Sequence, residues 1–308
     1  MVTQGVGAII NIILDPIFIF DNGVGAIIPG IGLYFGFGLG IKGAALATVI
    51  GQIAACILAI ILNAKCNKEI HLSFKGFRPS GRMIGQIYAI GIPSIVMASI
   101  GSVMNVLFNS ILNGFTEVVE GTKQSIGQIA QTAFGVYFKL QSFIFMPIFG
   151  LNNGIVPIVA YNYGAQKKKR MMQTFRLGLV YAIGYMAFGL IIFQILPETL
   201  LGFFNMTDAA SLYVGVPCLR IISLSFIFAG FCIIAGSVFQ ALGKSIYSMF
   251  VSIARQLLVL IPVAFLLSKL GDAALVWWAF PIAEVMSVIA SVIFFVIIYK
   301  RIISRIPE

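Results

Sequence analysis

Charge is what this sequence has least of. Only 10% of its 308 residues are Asp, Glu, Lys or Arg, against about 25% in an ordinary soluble domain. With 60% hydrophobic residues and a mean hydropathy of +1.04, the chain has too little polar surface to face water on all sides, and its natural solvent is lipid. Histidine is nearly missing. The single one, His71, lies in a polar loop, so histidine-based catalysis or metal binding has little support. The four cysteines, Cys56, Cys66, Cys218 and Cys232, have no metal-type spacing, and three fall in apolar segments, which reads as free structural thiols. With no nucleophile constellation, metal cluster or phosphate loop, an enzyme is not expected, nor a cofactor. A secretory signal is also missing, because the opening MVTQGVGAIINIILDP has no basic stretch and no small-residue cleavage site. The chain reads as if it starts inside a helix.

What is present in quantity is long apolar runs. A helix needs about 20 apolar residues to cross a bilayer, and hydrophobic windows predict eight, at 5–22, 41–63, 84–112, 128–160, 172–196, 211–240, 246–268 and 274–299. The fold class is therefore an all-α polytopic membrane protein. The polar gaps sort by charge. One set of alternate gaps, which includes the C-terminal tail, holds fourteen Lys and Arg: Lys65, Lys68, Lys75, Arg78 and Arg82; Lys167, Lys168, Lys169, Arg170 and Arg176; Lys244; and Lys300, Arg301 and Arg305. The opposite set holds three, Lys42, Lys123 and Lys269. The positive-inside rule then puts the basic gaps and the C-terminus in the cytoplasm, with the chain multi-pass in the cell (inner) membrane. The net charge of +10 is accounted for by topology, so the expected partner is the lipid bilayer and no nucleic acid. The run KKKR at 167–170 reads first as a topology determinant, with a lipid-headgroup or nucleic-acid role as the alternative.

Inside the apolar segments ionisable groups are few: Asp15, Lys139, Arg220, Arg255 and Glu284. Each costs roughly 2.5–3.5 kcal/mol at mid-bilayer on insertion scales and is by default a functional hypothesis. In NIILDPIFIF, residues 11–20, Asn11 and Asp15 stand four apart and so share a helix face. Pro16 has no N–H to give the carbonyl of residue 12, which leaves a backbone acceptor near the acid. An amide oxygen, a carboxylate and a loosened carbonyl suit a hard cation, or a proton on a desolvated carboxyl. Asp15 is thus read as a coupling carboxylate, against the plainer reading that it caps a Pro-broken helix. Elsewhere a pair of Glu284 with Lys139 or with Arg255 is expected, with a substrate or gating role as the other reading of these charges and of Arg220. Asn105, Asn109, Gln141, Asn152 and Asn153 are candidates for lining a cavity, although amides also bridge helices. Pro93, Pro147, Pro157, Pro217 and Pro262 interrupt five helices. There is also a faint repeat. Pro16 followed by Ala44-Ala45-Leu46 is echoed by Pro262 followed by Ala273-Ala274-Leu275, as in transporters with duplicated halves.

NIILDPIFIF followed by GLGIKGAALATVIGQI resembles the fifth and sixth helices of the MATE (multidrug and toxic compound extrusion) family. PIFGLNNGIVPIVAYNYGAQKKKR, ARQLLVLIPVAFLL and VWWAFPIAEVMSVIASVIFFVIIYKRI resemble its eighth, eleventh and twelfth. The resemblance implies a MATE-like bundle containing eight of the family's twelve transmembrane helices. Residues 1–63 would be the last two helices of the N-terminal lobe, 64–83 a cytoplasmic linker, and 84–308 the complete six-helix C-terminal lobe. It further implies an antiporter that exports small organic, often cationic drugs in exchange for H+ or Na+, and a partner in the missing N-terminal helices. In the family branch that couples through its first lobe, an Asn and an Asp on helix five and a Thr on helix six surround the ion; Asn11, Asp15 and Thr48 match them. That branch's acid on helix one has no counterpart here. The branch that couples through helices seven and ten is disfavoured, since those segments contain no Asp or Glu. The link DNGVGAIIPGIGLYFG at 21–36 is longer than the family's usual one and implies an enlarged outer loop. A lipid-linked saccharide flippase of the same superfamily and a non-transporting split-gene remnant are the alternatives.

Overall fold

The computed structural model describes residues 2–21, 36–66, 80–118 and 124–306. Most of the 21–36 link, His71 with most of the linker, the side chain of Cys66, and Lys123 lie outside the described residues. The chain divides into two compact units, Met1–Ser80 and Gly81–Glu308.

The first unit pairs α1 (Val2–Ile19) with α2 (Ile41–Cys66). These helices can touch closely because α2 carries a small residue every fourth position, Gly43, Ala47, Gly51 and Ala55, which forms one stripe. A Cβ on Gly51 would stand 2.7 Å from the carbonyl oxygen of Gly7, and one on Gly7 would stand 2.8 Å from that of Gly51. Near the other end of the pair a Cβ on Gly43 would meet the Phe18 carbonyl oxygen at 2.3 Å. Backbone thus lies on backbone along the whole contact. The outer faces are aliphatic, with Ile12 68% and Ile53 54% exposed, as lipid-facing positions should be.

The second unit contains α3 (Gly81–Leu112), α4 (Ile126–Gly164), α5 (Lys168–Ile195), α6 (Pro197–Gly202), α7 (Ala209–Ser223), α8 (Phe226–Ala241), α9 (Ser245–Ile253), a π-helical stretch (Ala254–Leu260), α10 (Ile261–Ser268), α11 (Ala273–Val276) and α12 (Ala279–Arg301). Among the described residues there is no strand, only an isolated bridge between Val118 and Ser125. Its core is aromatic at one end: Phe108, Phe134, Tyr137, Trp277 and Phe280 are all buried, with Phe108 4.6 Å from Phe134 and 5.1 Å edge-on to Phe280. Offset and edge-to-face rings add about 0.5–1.5 kcal/mol per pair beyond their burial.

Six helices among the described residues are long and apolar enough to cross a membrane, α7 and α8 form a seventh span bent by 43°, and Thr3–Ile19 is a shorter apolar helix. The window predicted as one helix at 211–240 is therefore broken, and the cause is local. Ser223 donates to the Arg220 carbonyl at 2.9 Å and Ser225 to the Ile222 carbonyl at 2.6 Å, and such back-bonding bends helices. Gln194 on α5 supplies a compensating donor to the Arg220 carbonyl at 2.7 Å. The window at 246–268 is likewise not a plain helix. Pro262 leaves the carbonyl four residues before it without its amide donor, and the preceding turns widen to the π form.

The basic and acidic gaps map onto opposite ends of the second unit. At one end Lys168 at the start of α5 lies over the ring of Tyr299 near the end of α12, 5.9 Å from its centre. At the other, Phe115, Glu117, Tyr213 and Asp272 share a shallow cleft. Lys167 to Arg170 stand at the N-terminus of α5 with no side-chain cap, where the helix dipole disfavours cations. Helix stability does not explain them there.

Candidate coupling site and an enclosed charge pair

The stripe on α2 sets the first site. Because Gly51 admits Asn11, whose Cβ lies 3.3 Å from where a Gly51 Cβ would be, the Asn11 side chain reaches across to α2. Its Nδ2 donates to Thr48 Oγ1 at 3.3 Å and to Asp15 Oδ1 at 3.4 Å. Thr48 in turn donates to the Ala44 carbonyl at 2.9 Å, which leaves its lone pairs for Asn11. Both contacts are at the long end of hydrogen-bond range. Asn11, Asp15 and Thr48 are thus brought together, with Pro16 directly after the acid inside α1. The half-buried carboxylate accepts from one amide, and its remaining lone pairs are free for a proton or a small cation. Receiving a cation on the Asn11 oxygen requires the amide to turn over, whereas protonating Asp15 does not.

In the second unit, Arg255 in the π-helical stretch donates through Nη1 to Glu284 Oε1 on α12 at 2.5 Å. This is the one ion pair among the described residues. Glu284 is 8% exposed, and its Oε2 is buried without a hydrogen-bond partner. Of the two expected partners for Glu284, Arg255 is the one found. Lys139 is exposed on α4, and its ammonium instead lies over the ring of Phe204, 5.5 Å from the centre. A long flexible stem lets a lysine reach the interface this way, and that relieves it of any need for Glu284. Arg220 is likewise exposed, in the last turn of α7, where a cation suits the helix dipole.

The amides divide. Asn105 and Gln141 line a cavity of about 250 Å³ together with Arg255 and Glu284. Asn152 lines a neighbouring one of about 190 Å³ and accepts from Ser237. Asn109 does not line either; it donates to the Asn105 carbonyl at 2.9 Å, and its own carbonyl takes Gln131 at 2.9 Å, a helix-bridging role. Asn153 is exposed. Sequence reasoning missed Tyr137 and Gln256, both buried against the larger cavity, and no spacing flags either. Cys56, Cys218 and Cys232 are free thiols, and Ser287 and Ser291 donate to Cys232 at 3.3 and 3.8 Å.

Apolar helices of this length, with few ionisable groups among them, define a multi-pass helical membrane protein. Residues 102–266, more than half of the chain, match the MatE family model, and the chain belongs to that family. It is 29% identical over 298 residues to a multidrug export protein, MepA, of Staphylococcus aureus (strain bovine RF122 / ET3-1), covering 95% of this chain and 58% of that protein. It is 26% identical over 301 residues to MepA of Staphylococcus saprophyticus, covering 98% and 60%. A solved outward-facing conformation of a multidrug resistance MATE family transporter of the MOP superfamily superposes with a TM-score of 0.80 at 18% identity, over 98% of this chain and 62% of the other. The chain thus spans about three fifths of the length of the curated relatives it matches.

Proposed function

We propose that this chain is the greater part of a secondary active exporter that moves small organic cations out of the cell against an inward flow of H+ or Na+. The coupling step is loading and unloading of Asp15. The observation that carries this reading is the Asn11, Asp15 and Thr48 cluster, a lone carboxylate inside an apolar helix with an amide turned onto it that also donates to the hydroxyl on α2. With its charge bare, Asp15 attracts a cation into its half of the path. Neutralised by a proton or paired with Na+, it no longer attracts the substrate cation, which is the exchange an antiporter needs. The N-terminal helices of the family would complete the cavity on that side, and the cytoplasmic C-terminus follows from the basic ends. The placement of the bases disfavours a carrier of pyrophosphate-linked lipids, since Lys139 and Arg220 are exposed and Arg255 is paired with Glu284.

The test is drug accumulation in cells stripped of their own exporters. Expression of the gene that encodes these helices should lower ethidium accumulation and raise resistance. Asp15→Asn should abolish both while the protein still reaches the membrane in normal amount. Unimpaired efflux by that variant would falsify coupling at Asp15. Collapsing the proton gradient or removing external sodium then separates the two coupling ions.

A further inference from the structure

The Arg255 and Glu284 pair sits between two chambers. The larger, about 250 Å³, is walled by Tyr137, Phe138, Phe145 and Phe280 and contains both charges. The smaller, about 190 Å³, is reached past Phe149, Ile233 and Arg255, which line both. Each is smaller than the roughly 300–1,000 Å³ of sites for drug-sized molecules. Joined, they fall within that range, and the Arg255 side chain is the charged element they share. It is also the more exposed partner, 28% against 10% for the Glu284 side chain, so it can leave the contact at lower cost than the acid. The backbone that holds it is the π-helical stretch Ala254–Leu260, a form concentrated at functional positions because its widened turn is easily remade. Glu284 already carries one buried oxygen without a partner. A carboxylate so placed in an aromatic chamber is a receptor for a positive charge spread over a flat body, which the rings bind on their faces and the acid neutralises.

We propose that Glu284 is the anionic anchor of a second-unit binding subsite for a monovalent aromatic cation, and that Arg255 is its resident stand-in, displaced when such a cation binds and merges the two chambers. The inference rests on the reading of the chain as part of a drug exporter, but it concerns equilibrium binding and not coupling. The anchor is distinct from Asp15: Glu284 selects for charge on the cargo, and Asp15 senses the coupling ion.

The chain in lipid nanodiscs, titrated with ethidium and with the uncharged aromatic dye N-phenyl-1-naphthylamine, provides the test. Glu284→Gln should weaken ethidium binding at least tenfold and change binding of the neutral dye less than twofold. Arg255→Met should tighten ethidium binding several-fold, because the internal competitor is gone. The double variant Arg255→Met with Glu284→Gln leaves no unpaired buried charge and guards against misfolding. It should keep the neutral dye and lose tight ethidium binding. Equal ethidium binding by wild type and the double variant overturns the proposal, as does loss of both dyes together, which would make the pair a strut. The efflux reading stands or falls separately, on the effect of Asp15→Asn on accumulation in cells.

Discussion

At the scale of single residues, some polar groups among the described residues are turned onto each other inside, and others hold a helix end outside. Asp208 is of the second kind. It caps α7 by accepting the Ser211 amide at 3.0 Å, and that backbone hydrogen bond holds its carboxyl below the ordinary carboxylate value. A group whose folded value is lowered contributes stability above its unfolded value and loses it as the pH falls through the folded one. Thermal melts of the chain in detergent should show Asp208→Ala less stable than wild type at pH 7. The two should converge as the pH drops below the ordinary carboxylate range, whereas a gap that persists unchanged at low pH would mean the cap acts through packing. The site residues themselves were legible in uneven ways. Asn11 and Asp15 announce themselves by spacing alone. Thr48 does not, since nothing within α2 singles it out from other threonines, and it entered through a family resemblance. Of the two partners left open for Glu284, Arg255 is found and Lys139 is not, because depth along a helix does not say which way a long flexible side chain turns.

At the scale of elements, α1 and α2 show how close packing makes a site. The stripe Gly43, Ala47, Gly51 and Ala55 is plain in the sequence once helical spacing is applied. Without a water-driven hydrophobic effect inside the bilayer, contact of this kind is what holds two apolar helices together. It also fixes the 3.3 Å reach from Asn11 to Thr48. Gly51→Val puts branched carbon where the Gly7 carbonyl oxygen lies 2.7 Å away, so the helices must part. Overpacking of this kind costs about 1–3 kcal/mol. The expected result is a drop in thermal stability together with loss of efflux, as in Asp15→Asn, whereas Ile53→Val on the lipid-facing side should leave both within error. Efflux by Gly51→Val at the wild-type rate would show that the cluster does not depend on the helix contact. In other elements the irregularity in 246–268 was legible from Pro262, whereas the break beside Ser223 and Ser225 was not. Hydropathy shows 211–240 and 246–268 as uninterrupted, because a serine that back-bonds to the turn before it, or a proline that widens that turn, leaves the mean hydropathy of a window unchanged.

At the scale of the whole molecule, the arrangement of charge says more than its amount. Apolar composition gave the number of spans to within the shortness of α1 and the bend between α7 and α8, because each span must satisfy its own backbone in lipid. Counting bases at alternate gaps predicts the sidedness. The second unit brings the start of α5 beside the end of α12, with Lys168 over Tyr299, and the acidic cleft with Glu117 and Asp272 forms elsewhere. A run of four cations at the N-terminus of α5 works against the helix dipole, so it has to be held there by something stronger. Attraction to anionic headgroups, at about 1 kcal/mol per residue, would suffice, and the positive-inside rule predicts that this face is the cytoplasmic one. Fusing a fluorescent protein after Glu308 should therefore give glowing cells, and fusing alkaline phosphatase there should give no activity. Replacing Lys167, Lys168, Lys169 and Arg170 together by glutamine should lower the fluorescence and admit some phosphatase activity, as part of the population inserts the other way. A C-terminus active for phosphatase in the unmodified chain would invert the topology.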